Sequence, residues 1–277
     1  MGDVQGSEFS FWNGLWQEKF HARVQRIRAN PQVDYWDKRA RDFSAMRKSN
    51  DYDYGKRVYA ALQSVLNADT TVLDIGAGPG SFVVPFAKHV KFVTAIEPSR
   101  EMAALLRENA DEAGIGNYAV IEKMLQDFPS DSALNDAFDL VTVSLVFWMY
   151  EDVWPLILQM ESYSNRYCAI VAEIPDKKNP KASSRGDVEE FQILYNMLVA
   201  QGRFANVRVI DYRCERSVED EAQYRSIAFE QYEGDITSQV MQRIRDEVQA
   251  EAKNGMCTVA TRSAVIWWDK RDLVPSY

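Results

Sequence analysis

Residues 72–81 read VLDIGAGPGS, and this stretch decides the fold. The apolar run over 71–75 predicts a strand buried in a parallel sheet. The strand ends in a turn rich in glycine, and the apolar-periodic segment over 80–88 then predicts a helix. A strand, a tight glycine turn and a helix are how α/β proteins hold a nucleotide-like ligand at the carboxyl end of a strand. Glycine suits this turn because it adopts positive φ and lets backbone N–H groups approach a ligand closely.

Working outward from this turn, strands and helices alternate regularly along the chain. Such alternation predicts an α/β fold with a doubly wound, mostly parallel sheet and right-handed crossovers. The predicted strands number seven, and they cover 71–75, 91–96, 118–122, 138–143, 166–173, 206–213 and 258–268. The predicted helices between them cover 80–88, 99–113, 151–162 and 187–201.

The spacing of the acid and the glycines separates two kinds of nucleotide loop. The dinucleotide fingerprint is G-x-G-x-x-G, whereas this chain has Asp74-x-Gly76-x-Gly78-x-Gly80. That order resembles motif I of the class I methyltransferases, which use S-adenosylmethionine (SAM). The resemblance covers roughly residues 35–175 well and the last third in architecture alone. It implies a Rossmann-like sheet with one antiparallel strand in its last pair, SAM as cofactor and S-adenosylhomocysteine as product.

The same resemblance implies roles for the residues at the strand ends. Asp74 and the glycine amides would surround the amino-acid end of SAM. Glu97 ends the second strand, where the family places the acid that grips the ribose hydroxyls, and a carboxylate there can accept two strong O–H bonds. Proline is favoured at the start of the helix that follows. The predicted cofactor-binding set is Asp74, Gly76, Gly78, Gly80, Glu97, Pro98, Met124, Leu125 and Ser144.

The adenine site departs from the family pattern. Many relatives place an acid after the third strand, but Lys123 occupies that slot here. In place of that acid, backbone amides near Met124 would contact the adenine. The side chains of Met124 and Leu125 would lie against the adenine faces. Asp127 is the alternative acid if the loop is one turn longer.

The loop after the fourth strand, SLVFWMYED over 144–152, bears on the methyl acceptor. It lacks the Asn-Pro-Pro-Tyr signature of DNA-base and protein-glutamine methyltransferases, which disfavours those classes. Many small-molecule relatives carry a histidine near Phe147, but His21 and His89 both map elsewhere. The general base is therefore unassigned: either the acceptor is soft or easily ionised, or another residue takes the proton.

Aromatic side chains form the predicted acceptor site. They suit a planar or cationic acceptor, and ordinary core packing is the alternative for each of them. Two precede motif I, in a segment that lies over the cofactor in many relatives, and three follow the fourth strand. The set is Tyr35, Trp36, Phe147, Trp148 and Tyr150.

Composition narrows the class of protein. The chain has 277 residues and a net charge of −9, which argues against a nucleic-acid groove because such a groove needs clustered cations. No apolar run has the length of a membrane span, and residues 1–7 lack the zones of a signal peptide, so we expect a cytoplasmic protein.

Cys168, Cys214 and Cys257 lack C-x-x-C spacing. Reduced core thiols are the expectation, and a three-thiol soft-metal or arsenic site would need them to converge; no metal is predicted.

The predicted organisation is an N-terminal helical arm or lid over 1–66 and a SAM-binding domain over 67–277. The arm contains a basic amphipathic helix over 9–29, ended by Pro31. It could pack on its own domain, act as a lid, contact a second subunit or, least expected, bind a membrane surface. A helical insertion at about 217–255 precedes the last strand and either caps a small-molecule site or forms an oligomer interface. A homodimer through the arm or the insertion is therefore a candidate assembly.

These features together predict a SAM-dependent methyltransferase that acts on a small molecule, mainly by positioning the cofactor. The alternative from another class is a non-catalytic protein that binds SAM or S-adenosylhomocysteine and regulates or scaffolds a partner. Aminopropyl transfer from decarboxylated SAM and a macromolecular acceptor also remain open.

Overall fold

A computed structural model describes residues 2–27, 33–128, 134–174 and 190–272. Seven strands form one sheet in these residues. In chain order they are β1 (Thr71–Ile75), β2 (Phe92–Ile96), β3 (Tyr118–Ile121), β4 (Phe138–Ser144), β5 (Ser164–Ile174), β6 (Asn206–Ser217) and β7 (Met256–Asp269). Their order across the sheet is β3-β2-β1-β4-β5-β7-β6.

The strand directions confirm the predicted fold class. β1 lies between β2 and β4 and is parallel to both, and β3 and β5 continue the parallel set. β7 runs antiparallel to β5 and β6, so one strand of the last pair is reversed. The strand order turns back between β1 and β4, and ligands of open α/β sheets bind at the carboxyl ends of strands beside such a point.

Nine helices are described around the sheet. They are α1 (Gly2–Val24), α2 (Val33–Ser49), α3 (Asp53–Leu62), α4 (Val83–Phe86), α5 (Arg100–Glu112), α6 (Trp154–Tyr163), α7 (Glu190–Ala200), α8 (Val218–Tyr232) and α9 (Ser238–Glu251). The segment α8–α9 lies between the last two strands, where the sequence predicts an insertion.

Two helices differ in extent from the prediction. The helix expected over 80–88 is the single turn α4, since Gly80 at φ +92° still belongs to the preceding turn. The arm helix begins at Gly2 and ends at Val24 rather than spanning 9–29. The predicted break at Pro31 lies outside the described residues.

Two hydrophobic clusters cover the two faces of the sheet. Trp16, Met160 and Leu198, from α1, α6 and α7, belong to one cluster. Leu62 and Leu106, from α3 and α5, belong to the other. Neighbouring residues of the central strands alternate between the clusters, because successive side chains of a strand point to opposite faces. No helix in the described part of the chain is both long and apolar enough to cross a membrane.

The three cysteines are buried in three different hydrophobic clusters. Cys168 lies on β5 in the first face cluster and Cys214 on β6 in the second. Cys257 is the second residue of β7 and lies in a small third cluster with residues of α8 and α9. Each thiol therefore has its own apolar surroundings.

Candidate functional site

A cavity of about 1690 Å³ opens at the carboxyl edge of the sheet. Its floor consists of the carboxyl ends of β1, β2 and β4 with the turns that follow them. Its cover consists of side chains from α1, α2, α8 and α9, together with Arg216 near the end of β6. The predicted cofactor-binding residues other than Gly80 all line this cavity, and so do all five predicted acceptor residues.

The glycine turn after β1 shapes the floor. Gly76 and Gly78 have φ of +73° and +56°, in the left-handed region that glycine adopts without strain. A Cβ on Gly76 would lie 2.5 Å from Cγ2 of Val146, so this position has no room for a side chain. Gly80 lies outside the lining, and a Cβ there would lie 3.3 Å from Cγ of Leu106. The third glycine therefore serves helix packing rather than ligand contact.

Glu97 is fixed in place by backbone donors. Its two oxygens accept N–H bonds from Gly78 and Ser99, both at 2.8 Å, and the residue is 6 % exposed. Burial raises the pKa of Glu97 to about 7, against the lowering effect of the two N–H bonds, and the charge of Asp37 raises it further. The carboxylate thus links the turn after β1 to the end of β2 and retains lone pairs toward the cavity.

Asp74 is the second buried acid of the floor, at 2 % exposure. Burial raises its pKa to about 8, and the nearby charge of Glu97 adds to the effect. The ionised forms of Asp74 and Glu97 are therefore unfavourable in the empty cavity. A cationic ligand would favour their ionisation.

Helix α2 and helix α3 both contact the floor. The Ser99 hydroxyl donates to Asp37 at 2.5 Å, which joins α2 to the start of α5. Tyr54 of α3 and Ser144 at the end of β4 share a hydrogen bond of 2.6 Å. A Cβ on Gly55 would lie 2.0 Å from the backbone oxygen of Ser81, so α3 touches the glycine turn directly. Sequence reasoning missed Gly55, because a lone glycine in a helical pattern does not reveal what it touches.

The segment after β3 contributes Met124, Leu125 and Gln126 to the lining, and Gln126 was not predicted. Lys123 is outside it, with its ammonium 5.6 Å from the Phe128 ring. Asp127 is also outside the lining, so its carboxylate does not meet this cavity.

The loop after β4 carries the predicted aromatic residues in a strained turn. Leu145 has φ +57°, a conformation that costs energy in a residue other than glycine and often marks a functional site. The Trp148 indole N–H donates to the Leu145 carbonyl at 2.8 Å. Phe147 is 4 % exposed and belongs to a face cluster, whereas Trp148 and Tyr150 are partly exposed. The cavity wall at this point is therefore mainly Trp148 and Tyr150.

Side chains of the cover hold the loop after β4 in place by hydrogen bonds. The Trp16 indole of α1 donates to the Tyr150 carbonyl at 3.0 Å. Arg23 of α1 donates to the Trp148 carbonyl, and Trp36 of α2 donates to the Met149 sulfur at 3.3 Å. The arm thus packs on its own chain and closes one side of the cavity.

Both histidines lie away from the cavity. His21 is exposed on α1 and bonded to Glu151 at 2.9 Å. His89 stacks on Tyr59, with ring centroids 4.7 Å apart. Among the described residues, the lining contains no histidine that could take a proton.

Two arginines of the cavity lining contact Tyr224, and the sequence analysis did not predict them. Tyr224 of α8 lies between two guanidiniums, those of Arg39 at 4.4 Å and Arg216 at 4.3 Å from its ring centroid. Arg39 pairs with Asp42 and Arg216 with Glu221, each at 2.9 Å. In a polar stretch of sequence, an arginine that lines a cavity cannot be told from one on a solvated face.

A comparison with protein families identifies the central part of this architecture. The family model described as a methyltransferase domain matches residues 72–162. This segment is a methyltransferase domain. The matched segment begins in β1, ends in α6 and contains the glycine turn and Glu97. The match agrees with the predicted class I SAM methyltransferase family over this segment and specifies no subfamily, and the strand order and directions confirm the predicted fold.

Three known proteins illustrate the range of similarity. A Haemophilus influenzae protein described as uncharacterized is 29% identical over 92 residues, which are 33% of this chain and 34% of that protein. The chain therefore matches about a third of that relative's length. The structure of YcgJ from Bacillus subtilis has a TM-score of 0.49 at 16% identity and covers 77% of this chain and 97% of its own. YjhP from E. coli has a TM-score of 0.49 at 14% identity, with 77% and 92% covered.

Proposed function

We propose that the protein transfers a methyl group from SAM to a small-molecule acceptor. The observation that carries this proposal is the floor. A glycine turn whose Gly76 leaves no room for a side chain lies beside two buried carboxyls, Asp74 and Glu97, in a cavity large enough for a nucleoside and an acceptor together. SAM has a sulfonium, an ammonium and a ribose diol, and carboxylates can bind the two cations and the diol.

The protein's own residues hold the cofactor and the acceptor in position and surround them. SAM supplies an already activated methyl group, so holding the nucleophile, methyl carbon and sulfur in line contributes most of the rate. Glu97 lies where it can accept the ribose hydroxyls while two N–H bonds hold it still. Met124 and Leu125 offer apolar surface for the adenine ring. Trp148 and Tyr150 form the wall beside the end of β4, where the acceptor would lie.

The cover supports a small acceptor rather than a macromolecule. Side chains from α1, α2, α8 and α9 all reach the cavity, and the aromatic loop is bonded to two of these helices. A macromolecular acceptor would have to displace this cover to reach the floor.

The lining favours an acceptor that ionises easily. The described lining has no histidine. Burial raises the pKa of the Tyr54 hydroxyl, and it raises that of Tyr224 as well, so neither phenol is a ready base at neutral pH. A thiol, an amine or a carboxylate can reach its nucleophilic form without a strong base in the protein.

Transfer of labelled methyl tests the proposal. The protein is incubated with methyl-labelled SAM and a cell extract that is separated by size into small molecules, protein and RNA. We expect label in the small-molecule fraction with the wild type and with the exposed control Glu108→Ala, and little with Glu97→Ala. Label only in protein or RNA would contradict the small acceptor. No label together with no SAM binding would contradict the function.

A further inference from the structure

Arg47 is a buried cation that lines the cavity. It lies near the end of α2 and is 5 % exposed. Its guanidinium faces the Phe43 ring at 4.7 Å and the Tyr54 ring at 4.6 Å from the centroids. These two rings give the cation aromatic contact but no negative charge.

Arg47 has no carboxylate partner among the described residues. No salt bridge joins it to an acid there, and its buried Nε–H has no hydrogen-bond acceptor. Its neighbours in the cover differ, because Arg39 and Arg216 each have a carboxylate of their own. A buried charge with no partner is strongly unfavourable, so its retention indicates that a ligand supplies the counter-charge.

The position of Arg47 places that ligand at the join of floor and cover. Tyr54, whose ring contacts the guanidinium, bonds to Ser144 at the end of β4. Burial raises the pKa of the Tyr212 hydroxyl and of the Cys214 thiol, and the charge of Arg47 lowers both. The charge of Arg216 also lowers the pKa of Cys214. A single unpaired guanidinium matches one negative charge, and its planar fork suits the two oxygens of a carboxylate.

We propose that Arg47 binds a carboxylate of the ligand that occupies this cavity. The inference rests on the proposed function and deepens it. Two sources share this chemistry: the carboxylate at the amino-acid end of SAM, and a carboxylate on the methyl acceptor. The second source would make the acceptor an anionic small molecule, in contrast with the cationic or planar one that the aromatic residues alone suggest.

Binding measurements on the full chain distinguish the sources. SAM and decarboxylated SAM are titrated into the wild type, Arg47→Gln and Arg47→Lys, with Arg57→Gln as a control for loss of an exposed arginine. If the carboxylate is that of SAM, Arg47→Gln weakens SAM by about tenfold or more, as expected for a charged hydrogen bond. Decarboxylated SAM then binds both proteins alike, and Arg47→Lys recovers part of the loss.

A second titration tests the acceptor. Acetate and benzoate are added to protein saturated with S-adenosylhomocysteine, and the melting temperature is followed. If the carboxylate belongs to the acceptor, either anion raises the melting temperature of the wild type and of Arg57→Gln but not of Arg47→Gln, while SAM affinity is unchanged by the substitution. Unchanged SAM affinity together with no difference in anion response would overturn the proposal.

Arg47→Met separates ligand binding from a structural role. Removal of an unpaired buried cation should leave the empty protein about as stable as the wild type, so a large fall in melting temperature would contradict a ligand-binding role. Failure of the wild type to bind SAM would count against the proposed function alone. The anion titration, run on the empty protein, would then decide the role of Arg47.

Discussion

The floor and the cover of the cavity hold charged side chains in different settings. The floor holds Asp74 and Glu97, whose pKa values are raised mainly by burial. The cover holds Arg39, Arg47 and Arg216, stacked on aromatic rings. Two buried acids in the floor and Arg47, which has no carboxylate partner among the described residues, suit a ligand that is cationic in one part and anionic in another.

The two regions are also built differently. The floor is built from strand ends and the turns beside them, so its geometry follows from the sheet. The cover joins segments distant in sequence, as in the bond from Trp16 to Tyr150 and the contact of Arg39 with Tyr224. We therefore expect substitutions in the floor to change the affinity for the cofactor. Substitutions in the cover should change the closure of the cavity and the binding of the acceptor.

The largest effect on stability is expected in the cover. Trp16 is 2 % exposed, so Trp16→Ala should lower the free energy of unfolding by about 3–5 kcal/mol. Chemical denaturation would measure this. Phe11→Ala on the same helix is the control, because Phe11 is 61 % exposed and should change stability by less than about 0.5 kcal/mol. Equal effects of the two substitutions would mean that α1 does not pack as described.

The largest effect on the cofactor is expected at Glu97. Glu97→Ala removes the predicted acceptor of two ribose hydroxyls and should weaken SAM by about 100-fold, with the fold retained. Calorimetric titration would measure it, with Glu108→Ala as the exposed control on α5. An unchanged affinity would place the ribose elsewhere.

A smaller effect is expected where α3 touches the floor. Gly55→Ala places a Cβ 2.0 Å from the Ser81 oxygen and 2.7 Å from Cγ of Pro85, which should cost about 1–3 kcal/mol of stability. Gly116→Ala is the control, since a Cβ there meets nothing within 4 Å. Similar melting temperatures for the two variants would show that the contact of α3 with the glycine turn is loose.

Stability should also depend on pH. The pKa of Asp74 is about 8 and that of Glu97 about 7 in the folded protein, against about 4 for unfolded chains. Between these values the folded state binds more protons than the unfolded state, so stability falls as pH rises from about 5 to about 8. Asp74→Asn should flatten this slope in melting curves of the empty protein.

Affinity for cationic SAM should change in the opposite direction. It should rise over the same pH range in the wild type, because the carboxylates gain charge and SAM is positive. Titrations at several pH values would check this. A SAM affinity that falls with pH would mean that the two acids do not face the cofactor.

Comparison of the two regions also shows how far sequence reasoning extends. The strands and the glycine turn were predicted within a few residues, because hydrophobic runs and glycine spacing are local signals. Sequence reasoning did not predict the contact of Gly55 with Ser81 or the burial of Arg47. Both depend on elements that only folding brings together. The short α4 differs from the predicted helix because Gly80 continues the turn.

The most direct test of the central claim is a panel of thermal melts with SAM, S-adenosylhomocysteine, decarboxylated SAM and NAD. A ligand at about 100 times its dissociation constant adds about 2.7 kcal/mol, which raises the melting temperature of a chain of this size by about 5 °C. We predict this rise with SAM and S-adenosylhomocysteine and no rise with NAD. A rise with NAD alone, or with none of the four, would contradict the assignment of the floor as a SAM site.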